Sequence, residues 1–355
     1  VFIDSTQGWL VTDSGLQNEA PGAQFVVGCG GNATVTCGNF KTHIFTGPGN
    51  FCVSCAGNPA GSTTVEYLVV AGGGSGARYI AGGGGAGGFR TFTALSPTSP
   101  LNGPGALPVS VQGYPITVGG GAAAVGPGGE IAPVGAGDNI QGNDGNVSTF
   151  SSITAAGGGG GGTCIGGPLP GAGTAGGSGG GAGGRGTAPG GTGNTPTVSP
   201  AQGKNGGSTS GCTGGSGGGG AAVAGGNGPG SPSYPKLGGA GGNGDFIPTA
   251  FIGPTAPSYG QSPTPLAPNG RYFAGGGGAG AYDCGSNTAG LSNGGAGGGG
   301  QGTGAAPGGS GRTSNATPGS INTGGGGGNS GVSSGYNSQP GAGGSGIVMI
   351  RYKFQ

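Results

Sequence analysis

Blocks of consecutive glycine recur through most of this chain, and no other feature limits its fold as strongly. An apolar run enters a glycine block at residues 65–74 (VEYLVVAGGG), 80–85 (IAGGGG), 116–121 (ITVGGG), 153–162 (ITAAGGGGGG), 273–278 (FAGGGG) and 321–328 (INTGGGGG). Each glycine held in one conformation costs about 0.5–1 kcal/mol more backbone entropy than alanine and has no side chain to bury in return. What it permits is close approach of backbone to backbone, so that N–H and C=O groups of neighbouring segments satisfy one another, with Cα–H···O contacts as a second-order addition. The left-handed extended spiral with three residues per turn suits this use when glycine lines its crowded faces. A side-by-side bundle of such polyglycine type II helices is the ordered state these blocks favour.

Composition narrows the alternatives. Glycine supplies 107 of 355 residues against about 7% in ordinary proteins, yet no sustained G-x-y period is present, which excludes collagen. Charged residues make up 5% of the chain, whereas disordered solvated tracts usually carry charge. Short apolar stretches and aromatic residues run the whole length, which also argues for an ordered body. Glycine and the 27 prolines are the poorest helix formers, so helix content should be near zero. A net charge of +1 gives no electrostatic case for nucleic acid. No stretch approaches the length of apolar sequence that crosses a bilayer as a helix, so membrane insertion is not expected. The chain starts at Val1 without an initiator methionine or a visible signal peptide, as a fragment or processed product would.

The expected fold class is mainly β and extended, in two parts. Residues 1–64 form an antiparallel β module of short apolar or alternating runs, with residues 46–50 (TGPGN) as the turn between its last two strands. Within residues 41–45, alternation places Thr42 and Ile44 on one face and Lys41, His43 and Phe45 on the other. Residues 65–355 form the glycine-rich domain with projecting loops, among them the long proline-rich stretch 246–269. Its opening strand, residues 65–71, is expected to pair with its closing strand, residues 346–354 (GIVMIRYKF).

Few residues suggest chemistry. Cys29, Cys37, Cys52 and Cys55 lie close in sequence and leave zinc, redox chemistry, disulfides (Cys29 with Cys37 and Cys52 with Cys55 among the pairings) and buried thiols open. Strand-like residues between the cysteines disfavour a metal knuckle, so no metal is expected there. Cys164, Cys212 and Cys284 are scattered through the glycine body. Residues 80–90 (IAGGGGAGGFR) match a phosphate loop only by composition, since no helix former follows. His43 is the single histidine and reads as a strand residue. Asp138 and Asp144 sit in a turn-like stretch without the spacing or terminal glutamate of a calcium loop. Asn32, Asn146 and Asn315 match the glycosylation pattern. Nine acidic residues spread thinly offer no paired-carboxylate cleft, so neither enzymatic activity, catalytic residues nor a cofactor is expected.

What remains is surface binding. Aromatic residues among Pro, Ser and Asn give rigid contact area beside adaptable hydrogen-bonding groups, and loops on a rigid body are a common place for recognition. Tyr234, Phe246, Phe251, Tyr259 and Tyr336 are the candidate receptor-binding residues; covering the ends of the bundle is the alternative role for such rings.

Residues 40–54 (FKTHIFTGPGNFCVS), 65–74, 81–89 (AGGGGAGGF), 114–120 (YPITVGG), 147–162 (VSTFSSITAAGGGGGG) and 343–352 (GGSGIVMIRY) together resemble the glycine-rich C-terminal region of bacteriophage tail fibre and adhesin proteins. The resemblance runs in order over nearly the whole chain; the opening YLVVAGGG with the closing GGSGIVMIRY is its specific part. It implies a virion protein of the tail fibre that attaches to a host surface receptor, a cell-surface glycan or an outer-membrane protein. Other tail fibre or virion proteins are implied partners, and both a homotrimer and a monomeric tip fit the resemblance. The seven cysteines and the length of residues 246–269 depart from its pattern. A glycine-rich extracellular filament, self-assembled through edge strands, is the competing structural role.

Overall fold

The structure, a computed structural model, describes residues 22–126, 140–163, 171–184, 186–210, 214–229, 238–253, 259–262, 270–280, 292–303, 315–331 and 339–355, together with the backbone of short strands at 2–4, 8–9, 132–133, 332–333 and 336–337. It is built almost entirely from strands and extended chain; among the described residues the helix is a single turn, Thr249–Ile252.

Two antiparallel sheets close one end of the molecule. In the first, the strands run in the order Ala33–Cys37, Phe40–Phe45, Ile347–Lys353, Thr64–Val70 and Phe89–Phe92, with Leu107–Pro108 also bonded to Thr64–Val70. The opening and closing strands of the glycine-rich region do pair, Val70 opposite Ile347 and Glu66 opposite Arg351. The second sheet runs Ile153–Ala155, Ser148–Phe150, Gly113–Thr117, Gly49–Ala56 and Val26–Cys29.

The division expected at residue 64 does not separate these sheets. Phe40–Phe45 lies against the closing strand, with Phe45 opposite Val348, and Gly49–Ala56 lies against Gly113–Thr117. The physical reason is burial. The first sheet is apolar on both faces, so it needs a covering layer on each side. Phe45, Tyr67, Val69, Val348 and Ile350 pack towards Phe51, Tyr114, Ile116 and Phe150 of the second sheet. Ile44, Leu68, Val70, Ile347 and Met349, the alternate positions, pack towards Ile247, Phe251, Ile252 and Phe273. Rod alanines Ala86, Ala221 and Ala274 join that second cluster, where the glycine body meets the sheet.

Beyond the sheets the chain runs as extended rods. Gly72, Ser75 and Arg78 donate their N–H groups to the carbonyls of Asn146, Asn143 and Ile140; Gly73 and Gly76 to Gly344 and Gly341; Gly74 and Ala77 to Gly85 and Gly82, all at 2.9–3.2 Å. Each partner segment recurs at every third residue. A strand would alternate with a period of two, whereas a spiral of three residues per turn sends successive N–H groups to three different neighbours. The threefold polyglycine arrangement is thus written in the hydrogen bonds themselves.

The rod at residues 82–88 is enclosed on every side. It donates to 156–162, 216–219 and 324–327, and accepts from 71–77, 178–181 and Gly277. Only hydrogen fits between these rods: a Cβ on Gly82 would lie 1.9 Å from the Gly181 carbonyl oxygen, and one on Gly84 2.1 Å from that of Gly74. Side chains are confined to rod positions that face a gap, a sheet or solvent.

Candidate functional site

The rods alternate in direction, which gives the molecule two unlike ends about 20 Å apart, taking seven residues at about 3.1 Å each. Residues 71–78 leave the first sheet and 82–88 return to it; residues 324–331 likewise run outward and 339–346 run back into the closing strand. The sheets cap one end. The outer rod termini, including Arg78, Gly184 and Gly331, form the other.

This geometry separates the aromatic residues selected from the sequence. Tyr336 lies on Tyr336–Asn337, the middle strand of a small three-stranded sheet with Ala132–Pro133 and Val332–Ser333, at the outer end. Phe246, Phe251 and Tyr259 lie at the sheet end. Tyr234 lies outside the described residues. Phe246 is half-buried, opposite Tyr272 in register, with ring centroids 5.8 Å apart. Phe251 is 1% exposed; the helical turn Thr249–Ile252 folds its ring into the core, and its carbonyl accepts a 2.8 Å hydrogen bond from the Thr42 hydroxyl. Its expected place in a contact surface is therefore corrected: apolar burial against the first sheet outweighed the loop character of the surrounding sequence.

Among the described candidate side chains, Tyr259 reaches an opening. It packs against the core from a half-buried position and lines a groove of about 390 Å³ with Gln261 and the turn 320–323. Gln261 and Ser320 also line a second groove of about 680 Å³ that continues along the flank of the rods. Among the described residues the joined walls carry the carboxamides of Asn243, Gln261, Asn293, Gln301 and Asn322, and no charged side chain.

Several of these groups are fixed from behind. Gln261 exchanges backbone hydrogen bonds with Tyr272 at 2.9 and 3.2 Å, while its Oε1 accepts the N–H groups of Gly297 at 2.5 Å and Gly298 at 3.1 Å. Asn243 Oδ1 accepts from the Ala296 N–H at 3.0 Å, and Asn322 Oδ1 from the Ser345 hydroxyl at 3.3 Å. Arg271 donates to the carbonyls of Tyr259 at 2.8 Å and Gly260 at 3.2 Å, and burial lowers its pKa. Three carboxamides thus spend their oxygens on the scaffold and keep their NH₂ groups for the groove. Sequence reasoning aimed at aromatic loops passed over these amides. For Asn243, Asn293 and Gln301 a signal was nevertheless present, since each interrupts or flanks a glycine block, as in NGGAGGGGQG (residues 293–302).

The other chemical candidates take structural places. Asp144 Oδ1 accepts from the Gly160 N–H at 2.8 Å and from the Thr174 hydroxyl, clamping two rods; Asp138 lies outside the described residues. His43 is buried, with Nδ1 2.6 Å from the Gly30 carbonyl and Nε2 3.0 Å from the Tyr352 hydroxyl. Burial lowers its pKa. Cys29, Cys37, Cys52 and Cys55 are thiols. The pairing of Cys29 with Cys37 does not form because the two belong to different sheets; Cys29 faces Cys52 instead. Cys52 and Cys55, three positions apart on one strand, do not bridge either. Among the described residues no group of three or more His, Cys, Asp or Glu could hold a metal ion, and no helix is long and apolar enough to cross a membrane. Cys164, Cys212 and Cys284 lie outside the described residues.

A family model described as a glycine-rich domain matches residues 46–353. The chain belongs to this glycine-rich domain family. The matched region starts in the turn before Gly49–Ala56 and ends with the closing strand, so the family unit comprises the rods together with most of both sheets. A comparison with curated proteins gives no match.

Proposed function

We propose that this glycine-rich domain is a non-enzymatic, receptor-binding adhesin of a bacteriophage tail fibre, attached to the virion through other fibre proteins and contacting a glycan or outer-membrane protein on the host surface. The observation that carries the reading is the enclosed rod at residues 82–88, hydrogen-bonded to segments on every side. A body interlocked through its own main chain holds surface groups at fixed separations without a large side-chain core, and preorganisation of this kind raises affinity by lowering the ordering cost of binding. The sequence resemblance to tail fibre adhesins supports the same role, and Tyr259, which lines the groove, gives it contact area.

The test is competition. Purified protein, added before virions of a phage whose fibre contains this chain, should occupy receptors and reduce adsorption to the host in a dose-dependent way. Undiminished adsorption at saturating protein, with binding of the protein to cells absent, would remove the adhesin reading.

A further inference from the structure

We infer that the groove running from Tyr259 along the rod flank is a binding site for an uncharged glycan. The inference deepens the adhesin reading and takes its biological meaning from it, but its chemistry stands on the groove. At about 680 Å³, the flank portion has the size of a small-ligand site. Its floor is rod backbone that cannot shift: a Cβ on Gly295 would meet the Gly242 carbonyl oxygen at 1.9 Å, and one on Gly299 the Gly276 oxygen at 2.1 Å. Such a floor is polar and close-packed.

The walls select the ligand class. Asn243, Gln261 and Asn322 are held through their oxygens and have NH₂ donors to offer a ligand. Asn293 and Gln301 are exposed and present both a donor and an acceptor. Sugar hydroxyls and ring oxygens alternate donor and acceptor on a scale that such amides match, and a tyrosine ring supplies an apolar platform with a polar rim. Among the described lining residues there is no cation to receive a phosphate, sulfate or carboxylate, which would be desolvated here. An acidic or basic peptide would leave its charges equally unpaired. A neutral polyhydroxylated chain suits the amides, and the apolar C–H faces of its rings suit Tyr259 and the exposed Ile321 of the same groove.

The experiment is an array of immobilised neutral oligosaccharides of hexoses and N-acetylhexosamines beside their sialylated, sulfated and phosphorylated counterparts, probed with the whole protein. Binding to one or more neutral series is expected, nearly unchanged between low and high salt because no ion pair contributes. The double variant Asn293→Ala/Gln301→Ala should weaken it by about tenfold, the loss of two hydrogen bonds of about 1 kcal/mol or less each. Asn293→Asp/Gln301→Glu, which keeps the shape, should weaken it at least as much. Neither side chain in these positions holds the scaffold, and an unchanged melting temperature checks this.

Binding confined to charged glycans or to peptides, absence of binding to every neutral series, or binding that survives both double variants would each overturn the inference. The adsorption assay separates this from the broader reading. Wild-type competition that the groove variants retain in full keeps the adhesin and ends the groove. Groove-dependent neutral-glycan binding without competition keeps the groove and ends the phage adhesin.

Discussion

The sheet end and the rod body of this molecule solve the same problem with opposite materials. At the sheet end, side chains do the packing: Phe51, Phe150, Tyr114 and Tyr352 pack together with Val and Ile from two sheets, and the His43 and Phe51 rings meet edge to face at 5.3 Å. In the rods, side chains are what the packing excludes, and cohesion comes from main-chain hydrogen bonds that switch neighbour at each residue. A hydrophobic core tolerates swaps of similar volume. A rod whose Cβ space is already held by a neighbouring carbonyl tolerates none, so adding one methyl group in the body should be as damaging as deleting a ring at the sheet end.

The largest effects test that equivalence. Phe51→Ala, a fully buried ring, should cost about 3–5 kcal/mol. Gly84→Ala is expected to cost at least about 3 kcal/mol, the upper end of overpacking penalties, because all three clashing atoms are backbone. Chemical denaturation of the two variants makes the comparison. A Gly84→Ala variant within about 0.5 kcal/mol of wild type, the range of inconsequential surface changes, would break it.

Next comes the seam where the two ends of the glycine-rich region are tied. Arg351 Nη1 lies 2.6 Å from Glu66 Oε2 across the paired strands, and the guanidinium sits 3.6 Å from the centroid of the Phe40 ring. Both side chains are largely buried, so Glu66→Ala leaves a buried cation and should lower stability by about 3 kcal/mol, the lower end for breaking such a pair. A melting temperature equal to wild type would show that the stacking on Phe40 alone keeps Arg351 in place.

A smaller, pH-dependent effect belongs to the sheet end alone. Burial holds the pKa of His43 below 6.5, so between that lowered value and pH 6.5 the unfolded chain binds the proton and the folded chain does not. Stability contributed by neutral His43 is present above pH 6.5 and falls as pH drops towards the folded pKa. Asp245, raised above 3.8 by burial, has the opposite sign: its contribution is present below pH 3.8 and is lost as pH rises through the folded value. Denaturation midpoints measured against pH for wild type and His43→Gln should separate them, the variant lacking the decline below pH 6.5. An identical pH profile in the variant would assign that decline elsewhere.

The smallest effect is the control for the first. Gly105 is exposed, and a Cβ there would have no atom within 4 Å. Gly105→Ala should leave stability unchanged or raise it by about 0.4–1 kcal/mol through the unfolded chain. A loss comparable to Gly84→Ala would mean that glycine is required for its freedom throughout the chain, not for close approach in the rods.

The two regions also differ in how far their sequences could be read. The apolar runs at residues 65–71 and 346–354 declared both strands and their partnership, and the glycine blocks declared a threefold packed body, because each follows from a local period or from a missing side chain. The faces of residues 41–45 came out as alternation requires, with Ile44 and Phe45 in opposite core clusters. The choice of neighbours is a different matter. Nothing local says that Phe40–Phe45 should lie against the closing strand, about 300 residues away in sequence, or that the helical turn Thr249–Ile252 should hide Phe251. The groove was illegible for the same reason: Tyr259, Asn293 and Ser320 become neighbours only after separate rods and turns have been assembled.

Native-state amide hydrogen exchange, followed residue by residue, tests the interlocked body most directly. The N–H groups of Gly83, Gly84, Gly85 and Gly87, each bonded to another rod, should exchange as slowly as those of Leu68 and Val69 in Thr64–Val70, an inner strand of the first sheet, through global unfolding only. Exchange of these glycine amides at the rate of an open chain, while the strand amides stay protected, would contradict it.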